Sequence, residues 1–277
     1  MNALSVRGLK KVYPSFTLNE VSFEVGEGRI VGLIGRNGAG KSTAIKSILR
    51  LITSEGSVEV FGRKMDEDEA GVKSLIGYVG GGFRYYPLTP LRKIAKATSM
   101  FYDGWDDTKY RSYIVKFGLD ENKKVKELSE GMKVKFALSL ALSHGAKLFI
   151  LDEPTSGLDP VSREEICDIL LSLVRDEGAS VLFSTHVTSD LERIADDVVY
   201  ISGGKVLEAC PLEELRSKYA VAVFDDEESA VKAGGVGVKR VKNGYEALVP
   251  GGAQNAATAT IDDIMIHLEA EKDRTTL

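Results

Sequence analysis

Gly35-Arg36-Asn37-Gly38-Ala39-Gly40-Lys41-Ser42-Thr43 follows the apolar run Arg29-Ile30-Val31-Gly32-Leu33-Ile34 and leads into Thr43 to Leu51, where apolar residues recur at helical spacing. The run reads as a buried strand. Strand, glycine loop and helix thus come in the order that the pattern G-x-x-x-x-G-K-[ST] demands of a phosphate-binding loop. Glycines let the backbone turn tightly, so that successive N–H groups and a helix N-terminus face one concavity and hold an anion. In such a loop Lys41 reaches the β- and γ-phosphates of a nucleotide and the Ser42 hydroxyl binds Mg²⁺. A glycine-rich turn alone can be purely structural; Lys-Ser directly behind it, between strand and helix, points to a nucleotide.

Working outward, Leu4 to Gly8, Phe16 to Val25 and Ser57 to Phe61 alternate as half-buried strands do and predict a small antiparallel layer. The acidic run Asp66-Glu67-Asp68-Glu69, within Lys64 to Glu69, reads as a solvated loop without function. Ile76 to Val79 is a further short strand, broken by Gly80-Gly81-Gly82. From Pro90 to Leu119 the spacing is helical, with an interruption near Asp103-Gly104, so a helical insertion over about 83–145 is expected. Its aromatics Phe101, Tyr102 and Trp105 serve either as core or as a docking surface for another protein.

Glu130 to Ser143 predicts a helix, Leu148 to Leu151 a buried strand, Arg163 to Arg175 a helix and Ser180 to Ser184 another strand. Strands alternating with helices around a phosphate loop imply an α/β fold with a mainly parallel sheet covered on both faces. Val198 to Leu207 reads as a hairpin around Gly203-Gly204, and Pro211 to Tyr219 as a short helix. Beyond Tyr219 the composition shifts to glycine pairs and an Ala/Thr stretch before a last helix near Ile261 to Glu271. The expected domains are therefore 1–219 and a small α/β appendage, 220–277.

A chain of 277 residues with net charge -5 gives no hint of a general nucleic-acid-binding surface, local basic patches being left open. Cys167 and Cys210 have neither metal-ligand spacing nor disulfide density, and read as inert thiols of a reducing compartment. No signal peptide is expected at the N-terminus, and no apolar stretch approaches the roughly 20 residues that span a bilayer. Any role at a membrane must come through a partner.

Leu128-Ser129-Glu130-Gly131-Met132, followed by Leu148-Phe149-Ile150-Leu151-Asp152-Glu153-Pro154, resembles the signature and Walker B sequences of ABC-transporter ATPase subunits. Ser156-Gly157-Leu158-Asp159 looks like that family's D-loop, His186 sits like its switch histidine, and Tyr13 like the aromatic that stacks on adenine. The resemblance covers roughly 3–215 and implies a P-loop NTPase of the ABC-cassette type, with antiparallel and helical subdomains.

The matched residues have physical cases of their own. Asp152 ends an apolar strand, where a carboxylate can hold the Mg²⁺ shell through water beside the phosphate loop. Glu153 can point toward the γ-phosphate and polarise the attacking water; the resemblance makes it the catalytic base. A capping or surface Asp-Glu pair is the alternative. Ser129 is a natural N-cap and Gly131 leaves its amide open, so this helix start can be an ordinary cap or can offer donors to an anion. In the family that anion is the γ-phosphate of ATP held by the opposite subunit, two subunits enclosing two nucleotides. His186 has small polar neighbours, Ser184 and Thr185, and can touch a γ-phosphate, whereas His144 and His267 match nothing and read as structural.

The family's usual glutamine after the strand at Ile76 to Val79 is replaced here by Gly80, Gly81 or Gly82. Glu130 and Met132 stand where glycine and glutamine are more common; Glu130 suits the positive end of its helix and is expected to face away from a partner's site. The Leu-Ser-x-Gly-Met-Lys signature, the short insertion and the ending Thr260 to Leu268 look most like ATPase subunits of bacterial ABC-2-type exporters. The resemblance implies ATP and Mg²⁺, a homodimer or a heterodimer with a paralogue, an integral membrane permease as partner, no nucleic acid, and a cytoplasmic place on the inner membrane face. Two other readings stand beside this one: a soluble non-transport ABC ATPase, and a module that dimerises on ATP but hydrolyses it weakly.

Overall fold

The computed structural model describes residues 1–80, 86–253 and 255–275. It divides into two compact units, Met1–Leu207 and Glu208–Leu277. In the first, β1 (Asn2–Tyr13) and β2 (Phe16–Gly26) form an antiparallel hairpin in which Tyr13 pairs with Phe16 across the turn. Val21, Phe23 and Val25 of β2 turn inward and Glu20, Ser22 and Glu24 outward, the period of a half-buried strand, while Leu18 is buried on the other side of an irregularity at Glu20, φ 53°. β3 (Ile30–Ile34) is buried throughout and runs into the glycine loop and α1 (Lys41–Ile48). β4 (Glu55–Val60) and β5 (Arg63–Lys64) complete an antiparallel sheet of order β2-β1-β4-β5.

The acidic run does more than the sequence reading allowed. Asp68 caps α2 (Glu69–Ser74), its carboxylate accepting from the Gly71 N–H at 2.9 Å, while Asp66 and Glu69 pair with Arg50 and Glu67 with Lys64. Short acidic side chains are good caps, and Arg50, just past α1, and Lys64, in β5, supply the opposite charges. β6 (Ile76–Val79) follows, then α3 (Leu91–Ser99), α4 (Asp107–Lys116) and α5 (Glu130–Ser143). Asp106 stops the chain between α3 and α4 by accepting from the N–H groups of Thr108 and Lys109. Tyr102 stacks on the buried His144 with ring centroids 3.9 Å apart, and Trp105 donates to Asp107, while Phe101 is exposed.

β7 (Leu148–Asp152), α6 (Pro160–Glu177), β8 (Ser180–Thr185), α7 (Thr188–Ile194), β9 (Asp197–Ser202) and β10 (Lys205–Pro211) complete the core. The six-stranded sheet has the order β10-β9-β3-β8-β7-β6, parallel from β9 to β6. Every residue of β3, β7 and β8 is buried, which a parallel sheet covered on both faces requires. Apolar side chains of α1, among them Ile45 and Ile48, join Leu4, Leu33, Val60 and Ile150 in one core that ties the antiparallel layer to the sheet. α6 is longer than its apolar spacing suggested, because Asp159 caps its start, Pro160 fills its first position and Gly178, at φ 63°, ends it.

The second unit holds α8 (Leu212–Lys218), β11 (Tyr219–Phe224), α9 (Glu227–Lys232), β12 (Val236–Val241), β13 (Gly244–Pro250), β14 (Ala257–Thr258) and α10 (Ile261–Thr275). Its sheet runs β12-β13-β11-β14. The division precedes the one suggested by composition, since Leu212 and Leu215 of α8 are buried and that helix packs on β11. His267 is buried here, one ring nitrogen 2.7 Å from the Gly237 carbonyl and the other 3.3 Å from Glu246.

Candidate nucleotide site

β3 ends at the sheet's centre, and the chain must turn at once to start α1. A side chain at Gly35 would lie 2.1 Å from the Ile201 carbonyl, and Gly40, at φ 115°, sits against the Phe16 ring. Only glycine meets both demands without strain. The loop ends in an α1 N-terminus with no side-chain cap on it, leaving N–H groups for an anion.

Lys41 is 5% exposed. Its ammonium donates to the Gly35 carbonyl at 2.7 Å and to that of Arg36 at 3.4 Å, and lies 3.4 Å from Glu153 Oε1. Lys41 thus folds back into its own loop, an arrangement from which phosphate oxygens can draw it. The Ser42 hydroxyl donates to Asp152 Oδ1 at 3.0 Å. One hydroxyl and one carboxylate oxygen side by side suit a hard cation that takes its remaining ligands from phosphate and water. Among the described residues no cluster of three or more His, Cys, Asp or Glu side chains can hold a metal by itself.

Glu153 lies one residue past β7 with φ 53°, the left-handed region, which costs a non-glycine residue on the order of 1–3 kcal/mol. That reversal sends its carboxylate to the side of Lys41 and His186. His186 Nδ1 is 2.7 Å from Glu153 Oε2, and since a carboxylate only accepts, Nδ1 carries the proton. Glu153 is therefore held by a cation on one oxygen and an imidazole on the other.

Ser184, in sequence only a small polar neighbour of His186, has a larger part in the structure. It is fully buried and stands opposite Asp152 in the parallel register of β7 and β8. Its hydroxyl donates to Asp152 Oδ1 at 2.7 Å and accepts from the Glu153 N–H at 2.9 Å. The available signal was a hydroxyl two residues before the histidine, at the C-terminal end of a strand adjoining the Walker B-like strand.

Of the remaining expected residues, Tyr13, Ser129 and Asp159 are exposed and Gly131 is buried. Tyr13 is 38% exposed at the hairpin end beside Gly40's neighbour Phe16, with the Lys11 ammonium 5.4 Å from its ring centre. Ser129 caps α5 by accepting from Met132 N–H, and Gly131 adjoins Leu158 and Ser162 of the following loop and helix. Glu130 pairs with Lys133 at 2.5 Å. Asp159 accepts from the Ser162 hydroxyl and the N–H groups of Ser162 and Val161, which hold its carboxyl below the usual range. Gly80 has the Tyr78 hydroxyl over the place where a side chain would start; Gly81 and Gly82 lie outside the described residues.

A family model described as ABC transporter matches residues 18–156, from β2 through the Asp152-Glu153 pair. The chain belongs to the ABC transporter family of ATP-binding proteins. This cassette is 33% identical over 233 residues to the bacitracin transport ATP-binding protein BcrA of Bacillus licheniformis, covering 80% of this chain and 75% of BcrA. It is 32% identical over 208 residues to the lantibiotic transport ATP-binding protein SrtF of Streptococcus pyogenes, covering 74% of this chain and 89% of SrtF. A solved ATP-binding subunit of an ABC transporter superposes with a TM-score of 0.69 at 28% identity, over 77% of this chain and 92% of that one. The ABC cassette expected from the motifs is thus the fold observed, and ATP hydrolysis is the reaction of its family. Among the described residues no helix is long and apolar enough to cross a membrane.

Proposed function

We propose that the chain hydrolyses ATP between two facing cassettes, on the cytoplasmic side of a membrane, and so drives export through a separate permease. The observation that carries the catalytic part is the placement of Glu153 between Lys41 and His186, beside the Ser42–Asp152 pair. ATP phosphates resting on the amides of Gly35 to Thr43 attract Lys41 away from the Gly35 carbonyl and from Glu153. Glu153 Oε1 is then free to accept a proton from water, while His186 keeps Oε2 in place. Ser42 and Asp152 are the residues that would hold Mg²⁺, which would supply neutralisation of phosphate charge. Tyr13 offers a face for adenine, Arg36, Asn37 and Ala39 contribute loop amides, and Ser129, Gly131 and Asp159 serve the nucleotide of the opposite cassette. Phosphoryl transfer to water needs mainly positioning and charge stabilisation, and these groups provide both.

Export and a membrane partner are supported by the transport names of BcrA and SrtF. The test is to tag the native protein, solubilise membranes of its host gently and identify what copurifies. A polytopic membrane protein in stoichiometric amount is the expected result. A tagged protein found only with cytosolic or nucleic-acid partners overturns the exporter assignment while leaving the ATPase site intact.

A further inference from the structure

Ser184 occupies a position from which one hydroxyl reaches two functional groups. Its hydroxyl accepts from one group and donates to the other. Asp152 Oδ1 can only accept and the Glu153 N–H can only donate, so the single Ser184 proton is committed to Asp152 and an Oγ lone pair to Glu153. The Glu153 amide is held a second time by the Ser184 carbonyl at 3.2 Å. On the other side, Asp152 Oδ1 receives two hydroxyls, Ser42 from the phosphate loop and Ser184 from β8. Ser184 has no exposed surface and no spare donor, which leaves it no direct part in bond making.

We propose that Ser184 is a positioning residue that locks the Asp152 carboxylate and the left-handed Glu153 backbone into one geometry. Glu153 at φ 53° is in a conformation that its own local preferences resist, so its carboxylate direction depends on what holds the amide. Ser184 supplies that hold through a hydrogen bond shared with the residue that faces Ser42. A change at Asp152 on cation binding is thereby transmitted to the base one residue away. This inference rests on Glu153 acting as the base, as set out above.

The experiment compares four variants with the wild type in ATP hydrolysis and in equilibrium ATP binding, with Mg²⁺ and with EDTA. S184T and S184V have the same shape and differ in the hydroxyl; S184A removes it without adding volume; E153Q reports on the base itself. The expected result is a kcat lowered roughly 10- to 100-fold in S184A and S184V, the size of effect that slight misplacement of reacting groups produces, with KM for MgATP raised only as far as the Mg²⁺-dependent affinity falls. S184T retains most of the wild-type rate. ATP binding in EDTA is the same in all, while the gain in affinity on adding Mg²⁺ is smaller in S184A and S184V than in the wild type and S184T.

Equal kcat in S184T and S184V at equal melting temperature overturns the proposal, because the hydroxyl then contributes nothing. If the β-branched pair melts early, S184A against wild type at matched folded fraction decides by the same kcat, KM and Mg²⁺ comparison. E153Q hydrolysing like the wild type removes the base assignment and this inference with it. E153Q inactive beside a fully active S184A removes the Ser184 role alone.

Discussion

His186 Nδ1 donates to Glu153 Oε2 across 2.7 Å, joining the end of β8 to the residue after β7. The imidazole orients the carboxylate without competing for the oxygen that faces Lys41. His186→Ala should lower kcat by roughly 10- to 100-fold, what losing a hydrogen bond to a charged group is worth. Steady-state kinetics with saturating Mg²⁺ checks this, and ATP binding should persist.

The Lys41 ammonium touches both a loop carbonyl and Glu153. Lys41→Ala removes the side chain expected to neutralise β- and γ-phosphate charge, and should weaken ATP binding as well as hydrolysis. A fluorescent nucleotide titration separates this outcome from that of His186→Ala, where only turnover falls.

Ile45 and Ile48 seat α1 in the core shared by both sheets. Ile45→Ala leaves a cavity under the helix that carries the phosphate loop, and should destabilise the protein by about 2–5 kcal/mol. Urea unfolding with and without ATP and Mg²⁺ measures the loss, and the nucleotide should restore part of it by binding only the folded state.

His144 stacks on Tyr102, and burial pushes its imidazole below the ordinary 6.5. A folded value under the unfolded one means that the unfolded chain takes up the proton first. Stability from this site is therefore intact above 6.5 and declines as pH falls through and below it. His144→Phe keeps the stack and should flatten the decline in melting temperature between about pH 7 and 5 relative to wild type.

The phosphate loop, the strand-end Asp152-Glu153 pair and the Ser129 cap were legible because each depends on neighbours in sequence: a turn that only glycine permits, a strand that must end, a helix that must begin. Glu130 to Ser143 was legible to its ends for the same reason. The brace at Ser184 was not, since it arises from the register that sets Asp152 opposite Ser184 in separate strands. α7 is not legible because its seven residues have no side-chain cap at Val187, whereas α8, equally short and uncapped, has Pro211 to mark its start. Asp68 was hidden among like charges, and only the helix that follows reveals it as a cap.

Glu153→Gln tests the base itself most directly, since it keeps the side chain's shape and one acceptor oxygen while removing the carboxylate that takes the proton. Turnover should fall roughly 10²- to 10⁴-fold, the usual worth of general-base catalysis, with ATP binding retained. Unchanged turnover in a variant that binds ATP normally would contradict the account.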